Sequence, residues 1–133
     1  MKRAYLSIGY QSRKRLTPEI DMLRKVLEAQ DITLFIFIDN YHFANHEEKQ
    51  MMQSACREID QSDLLIAEVS EKAIGVGIEI GYAVALKIPV IYVRNLLSEH
   101  STTASGSANY TIIYQNTTDL SFQLKQALIT LRN

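Results

Sequence analysis

Residues 63–93, DLLIAEVSEKAIGVGIEIGYAVALKIPVIYV, set one carboxylate, Glu79, inside an otherwise apolar, glycine-spaced segment. The run reads as strand, loop, helix, strand. Leu64 to Val69 and Val90 to Val93 are short apolar runs of the kind found in parallel strands buried on both faces. Ser70 to Lys72 is a polar loop, and Gly75 to Lys87 carries the helix. Ala83 and Leu86 share the face of Glu79 at helical spacing. A carboxylate there is partly desolvated near a helix N-terminus, which makes it a candidate nucleophile or acid/base. The alternatives are that Glu79 points to solvent or sits in a structural ion pair.

Working outward, apolar runs alternate with helical patterns along the whole chain, the mark of an α/β domain with a parallel sheet. Arg3 to Ile8 is the first strand. Thr17 is read as the N-cap of a helix with Pro18 at its first position, turning Ile20, Leu23, Leu27 and Ala29 to the sheet. Ile32 to Ile38 is the second strand. Asn45 and Glu48 read as a capping box for a helix over Glu47 to Ile59. Arg94 to Asn109 is a long polar loop, Tyr110 to Tyr114 a fifth strand, and Thr118 caps a last helix carrying Leu120, Leu124, Leu128 and Leu131. The expected fold is one doubly wound domain over residues 1–133, three layers α/β/α, with a five-stranded parallel sheet in the flavodoxin-like order 2-1-3-4-5. Its switch point lies between the first and third strands, so the loops Gly9 to Arg15 and Ser70 to Gly77 face each other, and the helix bearing Glu79 starts at that crevice.

At 133 residues the chain is long enough for one core and too short for two. Fourteen basic against fifteen acidic residues leave no field to draw nucleic acid or anionic lipid. Glu79, Lys87 and Pro89 interrupt the apolar segment and argue against a membrane span. The start, MKRAYLSIGY, does not make a signal peptide, and the single Cys56 fits a reducing cytosol, so a cytoplasmic protein is expected. Gly75, Gly77 and Gly81 lie in the wrong turn for a dinucleotide fingerprint and read as sites of close approach to a ligand or a neighbouring element. His42 and His46 straddle a loop without a third ligand nearby, so no metal is expected. His100 reads as a loop residue, and Tyr82 and Tyr92 as packing residues.

The segment YLSIGY, residues 5–10, which contains Tyr5, Ser7 and Gly9, resembles the nucleoside 2-deoxyribosyltransferase superfamily. So do SDLLIAEVSEKAIGVGIEIGYAVALKIPVIYV and the serine-bearing loop before the fifth strand. The likeness is nearest to the 2'-deoxynucleoside 5'-phosphate N-hydrolase branch and strongest over Asp63 to Val93. It implies attack of Glu79 on the anomeric carbon of a nucleoside or nucleoside 5'-monophosphate, giving a glycosyl-enzyme resolved by water or by a second base, with no cofactor. It also implies that Tyr5 and Gly9 lie by sugar and base, and that Gly75 and Gly77 offer N–H groups to phosphate or sugar. Ser101 is then a serine reaching a neighbouring subunit's site, which requires a homodimer or higher homo-oligomer; the alternative is a polar loop that only bridges to the next strand. Ser7, on the first strand, and Ser70, opening the second of the two facing loops, are further substrate-binding candidates. Arg13 or Arg15 could grip a 5'-phosphate, or belong to a solvated basic loop. One position departs from the pattern: the second carboxylate of the hydrolases falls at Ala55. Asp39 or Asp60 could substitute; equally, Asp39 could turn the chain with Asn40, and Asp60 could cap its helix or pair with Arg57. A weakened nucleotide-binding or sensor module is therefore the competing reading.

Overall fold

A computed structural model describes residues 1–132 as a five-stranded parallel sheet in the order β2-β1-β3-β4-β5. The strands are β1 (Arg3–Ile8), β2 (Thr33–Ile36), β3 (Leu64–Glu68), β4 (Val90–Asn95) and β5 (Tyr110–Tyr114). The helices are α1 (Tyr10–Arg15), α2 (Thr17–Glu28), α3 (Phe37–Asn40), α4 (Glu48–Asp60), α5 (Ile74–Ala85), α6 (Thr102–Ser107) and α7 (Thr117–Arg132). The expected order and layering are found.

Alternation along the strands sends side chains to two cores. Ala4, Leu6, Leu64, Ile66, Ile91 and Val93 pack with Ile20, Leu23 and Leu27 of α2 and Leu120, Leu124 and Leu128 of α7. On the other face Tyr5, Leu65, Ala67, Val90 and Tyr92 meet Ile59 of α4 and Val76, Ile80 and Ala83 of α5. None of the described helices is long and apolar enough to cross a membrane.

Several boundaries differ from the sequence reading, each for a local reason. The turn after β1 is helix α1, not loop, because the Ser12 N–H closes onto the Gly9 carbonyl at 3.0 Å and Leu16 onto Ser12 at 3.0 Å. Leu16, not Thr17, is therefore the N-cap of α2; the Thr17 hydroxyl donates back to the Lys14 carbonyl at 2.9 Å. Ala29 lies beyond the helix and is exposed, and Val26 takes its place in the core. β2 ends at Ile36, and Phe37 opens a helical turn. The reciprocal closure ahead of α4 is made one residue early: Ala44 N–H donates to Glu47 Oε1 at 2.8 Å, and Glu47 N–H to the Ala44 carbonyl at 2.9 Å. Within the long polar loop Ser101 caps α6, its Oγ accepting from Ala104 N–H. Asn116, not Thr118, caps α7 by accepting from Asp119 N–H at 2.8 Å. Leu86 falls past the end of α5 and is exposed.

Asp63 fastens the edge of β1, accepting from the N–H groups of Lys2 at 2.7 Å and Arg3 at 3.1 Å. The Lys2 amide contributes most to holding its carboxyl below the usual range. A depressed carboxyl stabilises the fold above its unfolded pKa, and that contribution is lost as pH falls through the folded value. Asp63→Ala is accordingly expected to cost about 1 kcal/mol at neutral pH and much less in acid, read by urea titrations at two pH values.

Candidate active site

Tyr5 and Ser7 lie two apart on β1 and so point to the same face of the sheet. The α5 helix crosses that face and brings Glu79 over them. The Ser7 hydroxyl donates to Glu79 Oε1 at 2.6 Å, and the Tyr5 hydroxyl donates to Oε2. Each carboxylate oxygen is thus held by one donor from the same strand. Tyr5 and Ser7 are fully buried, and Glu79 half-buried. Burial pushes the Glu79 carboxyl up from its ordinary value, and the hydrogen bonds from Ser7 and Tyr5 offset part of that rise. Burial, reinforced by the neighbouring Glu79 charge, drives the Tyr5 phenol far up, so it keeps its proton and remains a donor.

Glu79 borders a cavity of about 530 Å³, a size suited to a small ligand. The crevice is closed on one side by Gly9 and Ala73: a Cβ placed on Gly9 would come 3.2 Å from the Ala73 Cβ, so glycine permits the approach. The two loops expected to meet here do meet, and Arg15 of the first is paired with Glu71 of the second. The opposite wall is a set of parallel rings that sequence reasoning missed. Phe37 and Tyr41 stack at 4.7 Å and 18°, and Tyr41 and Phe43 at 5.7 Å and 8°. Their signal was the aromatic spacing 37, 41, 43 just after an apolar strand. Met51, Met52 and Ala55 of α4 complete the lining.

The aromatic wall is tied to the sheet. Tyr41 hydroxyl donates to Glu58 Oε2 at 2.5 Å, Arg3 pairs with Glu58 Oε1 at 2.7 Å, and the Arg3 guanidinium lies 4.1 Å over the Phe35 ring. Burial favours the protonated form of Glu58, but the bonds from Tyr41 and Arg3 outweigh it and hold the carboxyl below its ordinary value.

Of the residues singled out in the sequence, Tyr5, Gly9, Gly75 and Glu79 line this cavity, and Ser7 reaches it through Glu79. Arg13, Arg15, Asp39 and Ser70 are not among its lining residues. Arg13 makes a two-pronged contact with Asp39, Nε to Oδ1 and Nη2 to Oδ2, both at 2.9 Å. Asp39 therefore holds Arg13 rather than turning the chain with Asn40, whose side chain instead bonds the Ile36 carbonyl. Ser70 Oγ accepts from Asn95 N–H at 2.8 Å, joining β3 to β4. Asp60 takes its bond from the Tyr82 hydroxyl at 2.6 Å, while Arg57 turns to Ser54. The Tyr92 hydroxyl lies 3.2 Å from His100 Nδ1 and accepts from Ser101 N–H at 3.1 Å.

Gly77 and Ser101 line a second hollow of about 380 Å³ with Lys72, Ile74, Gly81 and Thr103. A Cβ at Gly75, Gly77 or Gly81 would meet nothing within 4 Å in this chain. No neighbouring element of the chain thus approaches these glycines closely, contrary to one of the sequence expectations.

The family model for nucleoside 2-deoxyribosyltransferases matches residues 9–126. A protein of Syntrophotalea carbinolica provisionally designated 2'-deoxynucleoside 5'-phosphate N-hydrolase 1 is 43% identical over 51 residues, 38% of this chain and 36% of that protein. The chain therefore matches only about a third of that relative's length. Among solved structures, the CMP N-glycosidase of Clostridium botulinum superposes with a TM-score of 0.63 at 21% identity, covering 96% of this chain and 99% of the other. The 2-deoxyribosyltransferase of Bacillus psychrosaccharolyticus does so with a TM-score of 0.69 at 15% identity and 90% coverage of each. With the sheet order, the cavity and a family match running over most of its length, the chain belongs to the nucleoside 2-deoxyribosyltransferase family.

Proposed function

We propose that this protein cleaves the N-glycosidic bond of a nucleoside or nucleoside 5'-monophosphate through a glycosyl-enzyme on Glu79, with water or a second base as acceptor. The observation that carries the reading is the hold on Glu79: both oxygens are fixed by β1 hydroxyls at the edge of a cavity lined by aromatic residues. Such a carboxylate is aligned before substrate arrives, and its desolvation raises its reactivity towards the electron-poor anomeric carbon. The base lies against Phe37, Tyr41 and Phe43, and the sugar between Glu79 and the first turn of α5. No side chain caps that turn, and its Gly75 borders the cavity, which supports a place there for sugar oxygens or a 5'-phosphate.

Chromatography of nucleosides and 5'-monophosphates incubated with the protein, with and without a second free base, tests the proposal. Free base or an exchanged nucleoside is the expected result. A nucleotide-binding module that has lost its chemistry is the second reading, favoured by the absence of any carboxylate besides Glu79 from the cavity lining. It predicts heat of binding in calorimetry with no base released from any substrate.

Tyr5 acts in this reading as a positioning residue. Tyr5→Phe is expected to lower kcat about 10- to 100-fold through loss of one donor to the nucleophile. It also removes a bond that favours the ionised carboxylate. The Glu79 carboxyl then rises further, and the acid limb of the kcat/KM profile moves to higher pH, which a stopped assay across pH 4–8 would read.

We also propose a homo-oligomer in which the Ser101 segment serves a neighbouring site. Ile74 is 86% exposed and Ile78 53% exposed, beside the open surface of Gly77 and Gly81. An apolar patch of this kind fits a second copy of the chain. Cys56 is free and half-buried, which fits the reducing cytoplasm proposed as its location.

A further inference from the structure

Among the described residues, the lining of the cavity beside Glu79 includes no second carboxylate, no lysine and no arginine. Its other titratable groups are Tyr5, Tyr10, Tyr41 and His42. Tyr5 donates its proton to Glu79 and Tyr41 to Glu58, and both phenols are pushed up from their ordinary values, Tyr5 chiefly by burial and Tyr41 chiefly by its bond to Glu58. Neither can give up a proton at neutral pH. Tyr10 is 80% exposed. Ala55 lines the cavity from α4 and carries no ionisable group. His42 also lines the cavity and is exposed to solvent.

A neutral purine or pyrimidine leaves C1' as a nitrogen anion unless it is protonated, and general-acid help of that kind typically contributes about 10²- to 10⁴-fold. A pyridinium N-glycoside needs none: the electron pair of the breaking C1'–N bond neutralises the ring nitrogen. The cavity suits such a ring in two further ways. An aromatic lining favours a flat heteroaromatic ring, and Phe37, Tyr41 and Phe43 supply it; Glu79 supplies the opposite charge, and among the described residues no lysine or arginine lines the cavity to repel a cation. From these observations we infer that the preferred substrate carries a cationic heteroaromatic leaving group, a pyridinium nucleoside of the nicotinamide class or its 5'-phosphate. The inference rests on the Glu79 reading given above. In the first step a Glu79 oxygen bonds to C1' as the C1'–N bond breaks, releasing neutral nicotinamide. In the second, water adds to C1', the ester C–O bond breaks, the carboxylate is restored and one proton passes to solvent.

The test compares nicotinamide riboside and nicotinamide mononucleotide with adenosine, cytidine, their 2'-deoxy forms and their 5'-monophosphates, following free base by chromatography. The expected result is a kcat/KM for a pyridinium substrate at least about 10²-fold above every neutral-base substrate, with no fall on the alkaline side of the pH profile. Across ring-substituted pyridinium nucleosides the rate should fall steeply as the leaving group becomes more basic. Neutral bases released within tenfold of the pyridinium would overturn the inference and leave the Glu79 reading standing; a collapse of that release in His42→Ala would then name His42 as the acid. No release from any substrate overturns both. An Ala55→Asp protein shown to be folded by circular dichroism should narrow the pyridinium preference at least tenfold, and an unchanged preference counts against the missing acid as its cause.

Discussion

Replacing Glu79 by Gln is expected to suppress base release by roughly 10⁴-fold or more, the scale seen when a covalent nucleophile is removed, while the folded state becomes more stable. The two effects have one origin. Glu79 is a carboxylate in a desolvated site, and its carboxyl is raised despite two hydroxyl donors. A group whose folded pKa lies above its unfolded value contributes stability that is fully present below the unfolded pKa and is lost as pH rises through the folded one. At neutral pH the ionised Glu79 therefore strains the fold. Glutamine keeps the shape without the charge, and a gain of about 0.5–2 kcal/mol is the range found where activity and stability conflict. Thermal melts at pH 7 and pH 4 would show it: the variant melts higher at pH 7, and the difference shrinks at pH 4. A variant that keeps turnover, or that melts lower at pH 7, contradicts the account. Glu68 is raised by burial as well, with Ser70 N–H and Tyr114 hydroxyl on its two oxygens, and so adds to the same pH trend without taking part in the chemistry.

The second large effect concerns the platform under Glu79. Leu65 lies on β3, hydrogen-bonded to neighbours on both sides, and is fully buried among Tyr5, Ile59, Val76 and Ile80. Leu65→Ala is expected to cost about 2–5 kcal/mol, the transfer term plus the cavity left where strands cannot collapse. Urea unfolding followed by tyrosine fluorescence would measure it. Turnover of the fraction that remains folded should also fall, because the void lies beneath the helix that carries Glu79. A loss under 1 kcal/mol would mean that the α4–α5 face of the sheet is not packed as described.

The sheet was legible because its strands are apolar runs with little else to become, and Glu79 was legible because a lone carboxylate among Ile78, Ile80 and Ala83 has few reasons to be there. What escaped the sequence was of two kinds. α1 and α6 are six-residue helices of YQSRKR and TTASGS, too short and too polar to show a buried face. The remaining misses were pairings between distant residues. Arg13 looks like a free phosphate ligand until Asp39, 26 positions away, is seen to hold both prongs of its guanidinium. Arg15 is likewise bound to Glu71. Nothing in local spacing reports such partners. Conversely, the wall of Phe37, Tyr41 and Phe43 is local, and its period was hidden by a strand that turned out to stop at Ile36.

Because Tyr5 and Ser7 are both strand residues, the hydroxyls that align Glu79 come from the sheet and not from the segment between β2 and α4. That segment, residues 37–47, builds most of the aromatic wall. In the proposed reading, leaving-group choice and bond-breaking power therefore reside in separable parts of the chain. A lineage could exchange the first by splicing a new loop while passing the second on unchanged, and an engineer could graft along the same seam.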